Sequence, residues 1–313
     1  MYHASFRQLQ SLVLVARHAS VSRAADAMHL TQPAVSLQLR TLEALTGMPL
    51  TRKVGRGIQL TAAGEVMVEF SERILRLWEQ AGDELAALQG VTSGTLRIGA
   101  VTTAEHLLPP MLVPFTLKRP DVRLKLQVGN RAEIISMLAR NDIDLAIMGT
   151  PPRELRTNAA RFARHPMGFV AAPGHPLMHQ QGLTLQDMAA ANLLVRERGS
   201  GTRTAVERLF DESGLALDVG SEVSSNEAIK RMVAAGLGVG FLSVHACALE
   251  FKAGLLALLP LRGNPVEADW HVMHLAEHPI PKVAAAFQDF VIEFGQALVR
   301  QELEGFSQAS APP

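Results

Sequence analysis

Residues 196–206, RERGSGTRTAV, carry the sharpest chemistry in the chain. The segment runs off a short apolar strand, contains two glycines and opens a helix. Unpaired amides of Ser200, Gly201 and Thr202 at that helix N-terminus would attract an anion, and Arg198 and Arg203 add positive charge. The same residues also fit an ordinary glycine-rich loop with a helix cap. Thr102 and Thr103 end a predicted strand, Gly149 and Thr150 end another, and Asn226 sits at a second helix start, SSNEAIKRM, where Ser225 or Asn226 caps the helix. These groups could share one cleft if the strands are parallel, because open α/β sheets place ligands at strand carboxyl ends.

Catalytic chemistry finds no comparable set. The glycines around Ser200 lack the G-x-S-x-G spacing of a nucleophile elbow. No G-x-x-x-x-G-K-[ST] phosphate loop and no zinc-like Cys/His spacing occur. His271 and His274 lie three apart on a predicted strand and so face opposite ways, while His175, His179 and His278 fall in loops. Cys247, the single cysteine, sits in the apolar run SVHACALE and reads as a small buried hydrophobe rather than a redox sensor. No metal is expected, and the cofactor expectation is limited to a small bound molecule.

The elements that must position these groups begin with residues 20–40, SVSRAADAMHLTQPAVSLQLR. Ser20 can cap a helix carrying Val21, Ala24, Ala25 and Met28 at helical spacing, and the two alanines let a second helix cross closely. His29-Leu30 forms the turn, Thr31 can cap the next helix, and Pro33 sits in its first turn. Val35, Leu39 and Leu42 then make a core stripe, which leaves Gln32, Ser36, Gln38 and Arg40 outside. This is a helix-turn-helix whose second helix offers its first turns to a DNA major groove. Gln32 and Ser36 are expected at base edges, with Pro33 beside a thymine methyl. Gln38 and Arg40 are either further contacts or solvated helix residues.

A preceding helix from about Ser5 to Arg17 supplies Phe6, Leu9, Leu12, Val13 and Ala16 to the inner face, and the recognition helix should stop near Gly47. PLTRKVGRGIQLT then predicts two short strands around Gly55-Arg56-Gly57, a wing whose Arg52, Lys53 and Arg56 approach phosphates. Residues 1–60 contain seven basic groups against Asp26 and Glu43, a net of +5 in a chain whose total is zero. A basic head on an acidic body suits a nucleic-acid partner, although a solvated surface would show the same imbalance.

Thr61 caps the next helix, which should run to about Gln89. Its Ala63, Val66, Phe70, Ile74, Leu77, Ala81, Leu85 and Leu88 step by three and four, a heptad-like stripe on a rod of roughly 42 Å. Pairing of two such rods would hold two recognition helices about 34 Å apart, one duplex turn. From Gly94 the pattern becomes strand–helix alternation, with strands at 95–101, 122–128 and 144–149 and helices to Lys118 and over 130–140. A second set follows: strands at 169–174, 192–195 and 238–243, helices at 202–213 and 226–235. A return strand at 269–275 and a helix from Pro281 to about Gln301, which carries Val283, Phe287, Phe290, Val291, Phe294 and Leu298, complete the body.

The expected organisation is a winged helix-turn-helix over 1–61, a linker and dimerisation helix over 62–91, and a two-lobed α/β body over 92–305. The first lobe comprises 92–164 with 269–305, the second 165–268, and 306–313 form a flexible tail. A hydrophobic fraction of 48% supports real cores. No uncharged apolar run reaches the length of a membrane span. MYHASFRQLQ lacks the plan of a secretory signal, so a cytoplasmic location is expected. The body alone would also fit a solute-binding protein, and an enzyme with an accessory head is a third reading; residues 1–61 and the missing catalytic set weigh against them.

The whole pattern resembles a LysR-type transcriptional regulator. AADAMHLTQPAVSLQLRTLE, the wing motif R-x-x-x-R-G-x-x-L-T-x-A-G from Arg52 to Gly64, and GTLRIGA carry the resemblance, which spans the chain. It implies a winged head, a linker helix, a two-lobed effector domain resembling periplasmic binding proteins, and homodimers assembled into homotetramers. It further implies double-stranded DNA with two half-sites, RNA polymerase and a small-molecule coinducer as partners. By position, Gln32, Pro33, Ser36 and Arg52 match its DNA-contact motif. Thr51 departs from it, standing where a Phe would anchor the wing. A narrower resemblance, on MYHASFRQLQ, DLAIMGTPP, RERGSGTR, SNEAIKRMVAAGLGVGFLS and DWHVMH, is to the branch that activates the Calvin-cycle (RuBisCO) operon. It implies a phosphorylated metabolite or NADPH as effector; regulation of another metabolic operon by a different anion is the alternative. That branch carries Arg at position 150 and Pro at 198, where this chain has Thr150 and Arg198.

Overall fold

The computed structural model describes residues 3–55, 57–88 and 94–307, in two compact units, Met1–Gln89 and Gly90–Pro313. Arg56, residues 89–93 and the tail from 308 lie outside the described residues, as does the side chain of Leu88.

In the first unit, α1 (Phe6–His18) starts at Ser5, which forms a reciprocal capping box with Gln8. α2 (Val21–Ala27) is capped by Ser20, and its buried Ala24 and Ala25 let α3 (Gln32–Thr46) approach. The turn between them passes through His29 in the left-handed region. α3 begins at Thr31 without a side-chain cap bond, contrary to expectation; Pro33 occupies its first turn, and Gly47 ends it at φ 70°. Val35, Leu39 and Leu42 are fully or almost fully buried against Leu9, Leu12 and Val15. Phe6 is not an inner residue. At the very start of α1 it stays exposed and lays its ring 4.9 Å from Trp78.

β1 (Thr51–Val54) and β2 (Gly57–Leu60) pair antiparallel as the wing. Thr61 caps α4 (Ala62–Leu88): its hydroxyl accepts from Gly64 N at 3.0 Å and donates to Pro49 O at 2.7 Å. Gly64 is required there, since a Cβ would meet the Leu50 carbonyl oxygen at 1.9 Å. One face of α4 contributes Met67, Val68 and Leu75 to the head's core. A further stripe, including Phe70 (50 % exposed), Leu77 (59 %) and Leu85 (62 %), stays exposed.

In the second unit, β3 (Gly94–Val101), α5 (Leu108–Leu117), β4 (Val122–Gly129), α6 (Arg131–Ala139) and β5 (Leu145–Met148) form a βαβαβ wind with three parallel strands. β3 lies between the other two and is buried along its length, as a central parallel strand must be. β6 (Thr157–Arg164), missed in the sequence because TNAARFAR lacks an apolar run, adds an antiparallel edge. The chain then crosses to a second sheet: β7 (Met167–Ala171), α7 (Leu185–Ala190), β8 (Leu193–Arg196), α8 (Gly201–Glu212), β9 (Ser221–Val223), α9 (Asn226–Ala234), β10 (Val239–Ser243), α10 (Ala248–Lys252) and β11 (Ala257–Leu258). The strand order is β11-β7-β10-β8-β9. The chain returns at β12 (Asp269–Leu275), which inserts between β5 and β6 to give the order β4-β3-β5-β12-β6. α11 (Lys282–Ser307) packs on this first sheet, with Phe287 edge-on to Phe115 at 5.0 Å. The helix continues through Phe306 and Ser307, beyond the expected start of the tail, and Phe294 on it is exposed. Among the described residues no helix is long and apolar enough to cross a membrane.

Candidate functional site

The first candidate site is the outer face of α3 with the wing. Gln32, Pro33 and Arg40 are exposed and Ser36 is half-buried. The core stripe one turn away, Val35, Leu39 and Leu42, fixes this orientation. Thr31 gives no side-chain cap bond, Pro33 carries no N–H, and Ala34 N donates to the Thr31 carbonyl at 3.0 Å, so the first turn of α3 is closed by backbone alone. Gln38 differs from the other three. Its Oε1 is buried and finds no partner among the described residues, so the amide turns partly inward.

Arg52 and Lys53 are exposed on β1, and Arg52 donates to Gln59 Oε1 across the pair at 3.2 Å, which steadies the guanidinium on the wing. Arg56 lies outside the described residues. The wing is tied to α3 by one carboxylate oxygen. Glu43 Oε1 accepts from Leu50 N (2.9 Å), Thr51 N (3.0 Å) and Thr51 Oγ1 (3.2 Å). A hydroxyl at position 51 thus exchanges an apolar anchor for a third hydrogen bond to an ionised acceptor, the stronger class of such bonds.

The second site is a cavity of about 540 Å³ between the two sheets of the body. Thr102, Thr103, Gly149, Thr150, Ser200, Gly201 and Thr202 all line it, as does Arg131. β3, β5 and β8 each end at this cavity, so strand direction alone brings together residues 100 apart in sequence. The α8 amides are not all available. Ser200 N donates to Glu197 O at 3.2 Å, which leaves those of Gly201 and Thr202 for a ligand.

Three expected residues are elsewhere. Arg198 is exposed outside the wall. Arg203 is buried, with Nε donating to Glu207 at 2.6 Å and Nη1 beside Glu222 at 3.6 Å, so two carboxylates hold it. Asn226 is buried, and its Oδ1 accepts from Arg196 Nη1 at 2.6 Å. Arg196 had no assigned role. It is completely buried at the end of β8, grips Glu197 through two bonds of 2.7 and 2.9 Å, and reaches Thr102 Oγ1 across the cleft at 3.1 Å. Together with Ala132 N donating to Gly199 O at 3.3 Å, it ties one lobe to the other at the cavity.

Arg131 was also missed. It follows Asn130, whose capping box with Glu133 starts α6 directly at the end of β4. Its guanidinium donates to Thr150 O and, at 3.4 Å, to Pro151 O. Burial lowers its pKa and Glu154 opposes that, yet a guanidinium remains a cation at neutral pH. A strand-end arginine next to a helix cap was the available signal. Arg153 and Arg208 add positive charge to the wall, and Glu154, Glu207 and Asp211 add negative.

At the crossings between lobes lies an aromatic stack. His165 lies 3.7 Å from Trp270, ring to ring, and its Nε2 is 3.1 Å from Ser243 Oγ. Trp270 Nε1 donates to His245 Nδ1 at 3.1 Å. An indole N–H can only donate, so His245 is neutral with its proton on Nε2. Burial pushes His245 down to about 4, and burial followed by repulsion from His245 holds His165 well below the usual imidazole range. Both rings are therefore uncharged at neutral pH. Cys247 is fully buried and its thiol is pushed up to about 12 by burial, which makes it unreactive packing.

Comparison with known proteins fits this geometry. The family description "Bacterial regulatory helix-turn-helix protein, lysR family" matches residues 6–65, and "LysR substrate binding domain" matches 89–296. The HTH-type transcriptional regulator CfxR of Cupriavidus necator is 38% identical over 96% of this chain and 95% of its own length. A RuBisCO operon transcriptional regulator of Acidithiobacillus ferrooxidans is 39% identical over 92% of this chain and 94% of its own. The regulatory domain of Synechocystis PCC6803 CcmR, solved in complex with 2-PG, superposes with a TM-score of 0.61 at 32% identity, covering 64% of this chain and 97% of that one. The chain belongs to the LysR family of bacterial regulatory helix-turn-helix proteins.

Proposed function

We propose that this chain is a ligand-responsive transcriptional regulator, an activator of carbon-fixation (RuBisCO) genes whose interlobe cavity takes a phosphorylated metabolite. The observation that carries the reading is the cavity itself. The amides of Gly201 and Thr202 at the start of α8 and the Arg131 cation line one cleft, a combination suited to an anion. The similarity to a RuBisCO operon regulator and to a domain solved with 2-PG supports both the gene set and the ligand class. α3 supplies base contacts through Gln32 and Ser36 with Pro33 beside them, and Arg52, Lys53 and Arg56 hold phosphates. The exposed stripe of α4 pairs with a second copy, giving a dimer or tetramer that spans two half-sites in the cytoplasm and engages RNA polymerase. The ligand acts by binding one arrangement of the lobes better than the other.

A thermal-shift panel of phosphoglycolate, ribulose bisphosphate, phosphoenolpyruvate, ATP and NADPH tests the ligand class. Stabilisation by one or more phosphorylated compounds is expected. Stabilisation by aromatic acids or amino acids alone would reassign the protein to another metabolic operon. A footprint on its own upstream region should protect two neighbouring half-sites.

A further inference from the structure

We propose that His165 is a ligand-contacting residue of the interlobe cavity, donating a hydrogen bond from Nδ1 to the carboxylate of a phosphorylated acid. The proposal rests on reading that cavity as an anion-binding effector site. His165 belongs to the cavity wall, is 4 % exposed, and its Nδ1 has no partner among the described residues. The rest of the residue is committed. Nε2 meets Ser243 Oγ, one ring face is covered by Trp270, and the backbone N–H donates to Ala268 O at 2.7 Å. The ring is thus held in one orientation with a single nitrogen unspent.

Gly149 lies against that nitrogen and is itself part of the wall. A Cβ at position 149 would stand 3.2 Å from Nδ1, tighter than ordinary contact, so glycine leaves the space beside this buried nitrogen unfilled by side chain. Its backbone φ is not in the left-handed region, so conformation does not demand glycine there. Ser243 can donate to Nε2 or accept from it, which lets the neutral ring place its proton on Nδ1 for a carboxylate without taking up a second one. The cavity then reads two ends of one ligand: the phosphate at Arg131 and the α8 amides, the carboxylate at His165.

The test uses the full chain with Trp78→Phe, leaving Trp270 as the remaining tryptophan of two. Phosphoglycolate and inorganic phosphate are titrated by calorimetry and by Trp270 emission. Phosphoglycolate is expected to bind and to change the emission. His165→Phe, which keeps a stacked ring, should weaken phosphoglycolate about tenfold and leave inorganic phosphate within about twofold. Gly149→Ala should do the same with His165 untouched, and decides the matter if His165→Phe does not fold. His165→Asn, with an amide near the Nδ1 position, should restore part of the loss. Equal losses for both ligands, or none for phosphoglycolate, overturn the role of His165 and leave the anion cavity standing. Absence of any phosphoglycolate binding to the parent overturns both.

Discussion

The head and the body treat their polar residues in opposite ways. On α3 and the wing, Gln32, Arg40, Arg52 and Lys53 are exposed, and their positions follow from which side of a short helix or hairpin is apolar. In the body, Arg196, Ser200, Thr202, Arg203, Asn226 and His165 are all more than nine-tenths buried, and most are held by groups distant in sequence. A surface that reads a rigid external partner needs only correct presentation. A cavity that grips a small polar ligand must exclude water, so each polar group needs a partner to offset desolvation.

The contrast can be broken most severely at Arg196. Replacing it with Met strands Glu197 and removes the bond to Thr102, so the body should lose about 3–5 kcal/mol in urea unfolding, with the head's own transition unchanged. At the head, Gln32→Ala or Ser36→Ala should instead cost about 1–3 kcal/mol of discrimination between operator and scrambled duplex, measured by gel shift, with unchanged thermal stability. Loss of stability in either variant would place these side chains in the fold rather than at the interface.

Acid should act on the body through its buried imidazoles. His245 is lowered from 6.5 to about 4 on folding, so the unfolded chain binds the extra proton first. Stability from this group is complete above pH 6.5 and is lost as pH falls toward 4, about 1.4 kcal/mol being gone by pH 5.5. His245→Gln, which still accepts from Trp270, should remove this share of the loss between pH 8 and 5.5 and leave the share from His165. The smallest expected effect is at the wing. Arg52→Ala should weaken binding to all duplexes alike and reduce the salt slope by about one.

Most of the head was legible because its information is local. Ser20 caps α2, Gly47 stops α3, Val35, Leu39 and Leu42 face the core, and all lie within a few residues of what they organise. The exceptions came from contacts across elements: Phe6 tilted against Trp78, and Thr51 drawn to Glu43. In the body the parallel strands were visible as apolar runs, while edge strand β6, with mixed polar composition, was not. The strand ends announced Thr102, Thr103, Gly149 and Thr150, since parallel order sends every carboxyl end to one side.

The sequence by itself determined the helix-turn-helix, the wing, the long helix with its apolar stripe and the alternating body, because periodicity, caps and turn residues act over a few positions. Only the tertiary structure decided which charged groups reach the cavity. Arg198 and Arg203 stood out along the chain and Arg131 did not, but one of the first two stays exposed, the other is taken by Glu207 and Glu222, and Arg131 is delivered to Thr150 by a strand that ends there. Which carboxylate neutralises which arginine depends on neighbours from other strands and helices, and no local pattern records them.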